Sequence, residues 1–173
     1  MNMVHYLELR DSALKNLKIA DHMLNVTYPL VKDPKLFISI IDHIFLSLVN
    51  AITALLYYEQ RYKKLFHFKD NFTEKYDVFA RYCARHYKIN QDYLTFILNI
   101  KSLVLAHQKS NVEFVRKEKI VICDAVYSYK TIDATTLKTY VDKTRMFVYL
   151  IHNLLHSEEK AAKKHLTSNI LIY

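Results

Sequence analysis

The sequence predicts an all-α, mainly helical bundle of about five helices, with a small β-hairpin or extended insertion near residues 112–132. Three observations predict it. Apolar residues recur at helical spacing from Val4 to Leu155. None of the 173 residues is glycine, where a usual content of about 7% would give roughly a dozen. The helical pattern breaks at one place, a run rich in β-branched and aromatic residues between Val112 and Ile132.

Helix one is expected from about Val4 to Val26, because Leu7, Leu14, Leu17, Ala20 and Leu24 form a stripe while Asp11, Lys15, Lys18 and Asp21 face away. Tyr28-Pro29 should end it, since the residue before a proline is pushed out of the α region. Asp33-Pro34 reads as an N-cap followed by proline at the first helical position, opening a helix to roughly Tyr62. That second helix is apolar around most of its circumference, with one narrow polar stripe through Ser39, His43, Ser47, Asn50 and Thr53. Such a rod is surrounded by its own bundle or by a second copy of the protein. Residues 36–58 are also long enough to cross a bilayer. A charge such as Asp42 would then sit in lipid at a cost of roughly 2.5–3.5 kcal/mol, so no membrane association is expected.

After a basic, aromatic connector from Arg61 to Phe68, Asn71 or Thr73 caps helix three, which includes Tyr76, Phe79, Ala80 and Cys83. Asn90-Gln91-Asp92 opens helix four, running through Leu94, Ile97 and Leu103 to Ala106. The next stretch places Ile120-Val121-Ile122 and Val126-Tyr127-Ser128-Tyr129 on either side of Cys123-Asp124-Ala125. It reads as a short hairpin, with a broken helix as the alternative. Asp133 caps a last long helix with Leu137, Tyr140, Val141, Met146, Phe147, Leu150, Leu154 and Leu155 inward, and Lys160, Lys163, Lys164 and His165 make a solvated end.

Length gives one domain, residues 1–173. Met1 to Arg10 mixes acid and base where a secretory signal has an apolar core, so the expected compartment is the cytoplasm. Cys83 and Cys123 stand apart without metal-ligand spacing, which fits reduced thiols. The net charge of +8 is uneven: residues 1–60 hold 5 Lys/Arg against 6 Asp/Glu, and residues 61–173 hold 20 against 11. Such asymmetry fits a surface for phosphate or for an acidic partner, and equally a charge that only keeps the protein soluble.

The missing glycines exclude the P-loop, the dinucleotide fingerprint and the G-x-S-x-G elbow, since each needs a backbone only glycine allows. His152 and His156 are spaced as in zinc proteases, but the segment reads His-Asn-Leu-Leu-His, without the glutamate that would act as base. No metal and no cofactor are expected. Arg81 and His86 in Arg-Tyr-Cys-Ala-Arg-His are the candidate catalytic pair of a metal-independent ribonuclease, the imidazole moving a proton and the guanidinium stabilising charge on phosphate. A basic helix face is the plainer reading of that pair. Arg116-Lys117-Glu118-Lys119, flanked by Phe114, Tyr127 and Tyr129, sets cations beside rings, a composition suited to phosphate contact and base stacking on single-stranded RNA.

The first sixty residues carry Ala13-Leu14-Lys15-Asn16-Leu17 and Ala20-Asp21, a break at Tyr28 to Lys35, and then His43, Asn50-Ala51 and Ala54-Leu55-Leu56. This order resembles the first helix pair of HEPN domains. The resemblance implies an all-helical bundle, commonly dimeric, that acts as a toxin ribonuclease or as the partner of a minimal nucleotidyltransferase. Active members carry an Arg-x(4–6)-His motif near the start of the last core helix; no histidine follows Arg116 at that distance, and Arg81 with His86 comes before the corresponding element. The resemblance therefore implies an inactive or diverged member. The expectation is a homodimer that pairs through helix two and binds RNA through Arg81, Arg85, Arg116, Lys117 and Lys119, or else a plain protein-interaction module.

Overall fold

The computed structural model describes residues 4–62, 65, 67–110, 112–123 and 129–170. Five helices surround one core, and a three-stranded antiparallel sheet stands between the fourth and fifth. Helix α1 runs Val4–His22, widens into a π-helical segment Met23–Thr27 and closes with the turn Tyr28–Val31. Helix α2 is Leu36–Tyr62. Helix α3 comprises Phe72–Val78, a π-helical segment Phe79–Cys83 and Ala84–His86; α4 is Gln91–Lys109, and α5 is Ala134–Ile170. The sheet consists of β1 Val112–Arg116, β2 Lys119–Cys123 and β3 Tyr129–Ile132 in that spatial order.

The first helix does not stop before Pro29. Tyr28 keeps helical angles (φ −59°, ψ −44°), and its N–H bonds Met23 O, five residues back. This wider turn lets the chain carry a pyrrolidine ring that would otherwise meet the preceding turn's carbonyl. The helix ends instead at Lys32, which is left-handed at φ 53°. The Asp33-Pro34 signal is met in part: Asp33 Oδ1 accepts from Lys35 N at 3.0 Å and Phe37 N bonds Pro34 O at 2.9 Å, but Pro34 and Lys35 form a turn and the helix begins at Leu36.

Helix α2 is the central rod. Phe37, Ile40, Ile44, Leu48, Leu55 and Leu56 have no exposed surface. Although α2 is long and apolar enough to cross a bilayer, half of its most apolar window is buried among the other helices. Three residues of its polar stripe, His43, Ser47 and Asn50, turn onto α1. Ser47 Oγ donates to Ala13 O at 2.7 Å, Asn50 Nδ2 to Ser12 Oγ at 3.0 Å, and His43 Nδ1 lies 2.9 Å from Asn16 Oδ1. Ala13, Leu17, Ala20 and Leu24 complete the apolar side of this contact. The seam fixes the rotation and register of the two helices, because a slip would leave buried polar groups unpaired at about 1–3 kcal/mol each.

The other helices begin at side-chain caps. Asn71 Oδ1 accepts from Glu74 N, Asn90 Oδ1 from Asp92 N, and Asp133 Oδ1 from Thr136 N, at 2.8–2.9 Å. Helix α3 ends where Ile89 N–H reaches back to Ala84 O at 2.8 Å across the left-handed Lys88, with Ile89 buried against the core. On α5, Leu137, Val141, Phe147, Val148, Ile151 and Leu155 pack inward, while Met146, expected inward, is exposed, and Phe147 meets Phe79 edge-on at 6.0 Å. Arg145 of α5 reaches Asp21 of α1 at 2.6 Å.

Candidate nucleic-acid interface

The expected hairpin exists: Ile120, Val121 and Ile122 of β2 pair with Ile132, Thr131 and Lys130 of β3, and β1 adds a third strand ahead of it. Val112–Arg116 pairs with Lys119–Cys123, so Lys117 and Glu118 form a two-residue turn, and β3 adds to the far side of β2. The expected segment Val126 to Ser128 lies outside the described residues. Lys117 and Glu118 sit at φ 48° and 59°, the conformation two-residue hairpin turns demand and usually fill with Asn-Gly.

Alternation along the strands divides the sheet into two faces. Ile120, Ile122 and Ile132 point inward and are at most 3% exposed. The outer face carries Phe114, Arg116, Lys119, Val121, Tyr129 and Thr131; the register aligns Phe114, Val121 and Thr131 across the three strands, and Arg116 with Lys119. Together with Lys117 these residues line an open concavity of about 510 Å³. Phe114 is 42% and Tyr129 63% exposed, two rings offered to solvent on a surface that is otherwise cationic. Lys119 Nζ is held 3.1 Å from Asp133 Oδ2, which ties the sheet face to the cap of α5. Backbone and side-chain hydrogen bonds from Thr136, and then Lys119, hold the Asp133 carboxyl down at about 2. The sheet is fastened to α4 by Lys130 Nζ on Ser102 O at 3.3 Å and by Ser110 Oγ on Cys123 O at 2.9 Å.

Arg81 and Arg85 are exposed on α3, Arg81 within the π-helical segment. With Lys88, Gln91 and Leu94 they line a separate concavity of about 360 Å³. His86 is exposed too, but it packs edge-on against Tyr87 at 4.7 Å and does not line that concavity. The structure thus gathers three cations there and leaves the imidazole outside. This patch adjoins the first turn of α4 and shares no lining residue with the concavity of the sheet face, so Arg81 and Arg116 are not gathered in one cleft.

His152 is half-buried and His156 exposed. Burial, and then the charge of Arg10, push the His152 imidazole below its usual range, and its Nδ1 has no hydrogen-bond partner. Nearby, Arg10 Nη1 stands 3.7 Å from Glu159 Oε1, an ion pair too long to be a hydrogen bond. Among the described residues no group of three His, Cys, Asp or Glu side chains is placed to hold a metal. Comparison of the chain with protein-family models, curated proteins and solved structures gives no match.

Proposed function

We propose that this protein binds single-stranded RNA on the outer face of its sheet, as a non-catalytic HEPN-like protein. The observation that carries the reading is the convergence of two exposed rings, Phe114 and Tyr129, with Arg116, Lys117 and Lys119 around one concavity. Bases of any identity stack on such rings, and the cations answer the phosphates between them. An antiparallel sheet suits this work because it holds its rings at fixed spacing before the strand arrives. RNA rather than DNA is what the HEPN resemblance implies, and a nucleotidyltransferase partner belongs to the same reading. A homodimer through α2 would have to use the strip that helix leaves open, Leu46 at 46% exposure beside the half-buried Phe45.

Fluorescence anisotropy with a labelled single-stranded RNA tests the reading. Loss of one stacking ring costs about 1–3 kcal/mol per base, so Tyr129→Ala should weaken binding roughly 5- to 150-fold. With three phosphates neutralised, log Kd should change with log salt at a slope of about 2. Absence of binding at low salt, or affinity indifferent to both salt and Tyr129→Ala, refutes the proposal.

A further inference from the structure

The two sides of β1 open onto different spaces. Phe114 faces the outer concavity, while Val115 points to the inner side with its register partner Ile120. Ile120 is 3% exposed, as an inner-face residue should be, yet Val115 remains 44% exposed. The reason is a cleft beneath the edge strand, about 360 Å³ in volume, between the start of α2, the end of α4 and the hairpin. Ile38, Val115 and Ile120 wall it, Lys35, Ser39 and His107 bring polar groups to it, and Phe114 stands on the rim it shares with the outer concavity. Few polar groups converging on apolar walls in a space of about 300–1,000 Å³ is the usual anatomy of a small-ligand site.

We propose that this cleft is a pocket for one nucleotide, its base between Ile38, Val115 and Ile120 and its phosphate toward Lys35 and His107. The inference extends the platform reading: a strand crossing the sheet can turn over Phe114 and place one residue in the cleft. Lys35 supplies the positive charge for an anion, and Asp42, one turn along α2 from Ser39, lies close enough to His107 to interact with its imidazole. Burial raises the Asp42 carboxyl, while the nearby imidazoles of His107 and His43 act in the opposite sense. The base needs a slot rather than a stacking ring, which explains why an apolar side chain of the edge strand is left uncovered above it.

Titration with adenosine 5′-monophosphate, followed by NMR shifts of the Val115 and Ile38 methyl groups, decides the matter. Ser39 is exposed, so Ser39→Trp fills the cleft without touching the core. It should weaken adenosine 5′-monophosphate binding, read at these methyl groups, at least tenfold, and Lys35→Ala should do so severalfold and bring the affinity close to that of adenosine. No saturable shift at millimolar nucleotide, or equal binding by the wild type and Ser39→Trp, overturns the pocket even where RNA still binds the sheet. Nucleotide binding that Ser39→Trp abolishes in a protein that ignores RNA oligonucleotides keeps the pocket and removes the platform.

Discussion

Asp133 ties the longest helix to the sheet face, and its removal has a calculable cost. The carboxylate accepts from Thr136 N at 2.8 Å, capping α5, and pairs with Lys119 at 3.1 Å. Loss of an N-cap costs about 0.5–2 kcal/mol, and a partly exposed ion pair adds about 0–1 kcal/mol. Asp133→Ala should therefore destabilise the protein by about 1–2 kcal/mol near neutral pH. The folded-state carboxyl is lowered from 3.8 to about 2, so its stabilisation is complete above the unfolded value and lost as pH falls through that window. Urea unfolding of wild type and variant at pH 6 and pH 2 should show the difference shrinking by more than half at the acid end. Asp133→Asn keeps a capping oxygen and loses the charge, so it should cost less than Asp133→Ala. A penalty for Asp133→Ala that is the same at both pH values refutes the assignment of this carboxylate as a charged cap.

Two further outcomes are expected. Replacing Lys117-Glu118 by Asn-Gly relieves left-handed strain at both positions and should raise stability by about 1 kcal/mol in urea unfolding; a loss of stability would contradict the turn geometry. Burial raises Tyr6 and Tyr87 well above the usual phenol range, with Glu59 accepting a hydrogen bond from Tyr87, and pushes Tyr58 up to about 12. A raised folded pKa gives stability that is present below about pH 10 and lost above it. Ultraviolet titration of the 14 tyrosines should therefore leave at least three un-ionised at pH 11 until the protein unfolds, and a smooth single-step titration would refute their burial.

The parts of the fold legible in the sequence are those written in local chemistry. Asn71, Asn90 and Asp133 announce helix starts because each is a short polar acceptor just ahead of an apolar period, and each caps in the structure. Pro29 misled because the π-helical turn that makes room for it has no residue signature. Strand β1 went unannounced for a related reason: its turn to β2 is Lys117-Glu118, without the glycine or asparagine that usually marks a two-residue hairpin. Arg116, Lys117 and Lys119 were legible as a basic cluster beside a ring, but the shared face with Tyr129 depends on strand register. The cleft was illegible altogether, since Lys35, Ser39 and His107 belong to two helices far apart in sequence and meet only after the sheet folds over them.

The missing glycines and the basic second half meet at the corners of the fold. Among the described residues, every left-handed position is Lys32, Lys88, Lys117 or Glu118. A side chain there costs about 1–2 kcal/mol that glycine would avoid. In return each lysine projects a cation from a tight turn, where the backbone is fixed and the charge is not folded back over a helix. Lys88 thereby joins Arg81 and Arg85 around one concavity, and Lys117 joins Arg116 around another. Among the described residues, the second of these groups lines its concavity together with exposed rings and adjoins a further cleft, whereas no ring lines the first. The same positive charge is therefore a plain solvated corner at α3 and, on the sheet, part of a surface that stacking can make selective for unpaired bases.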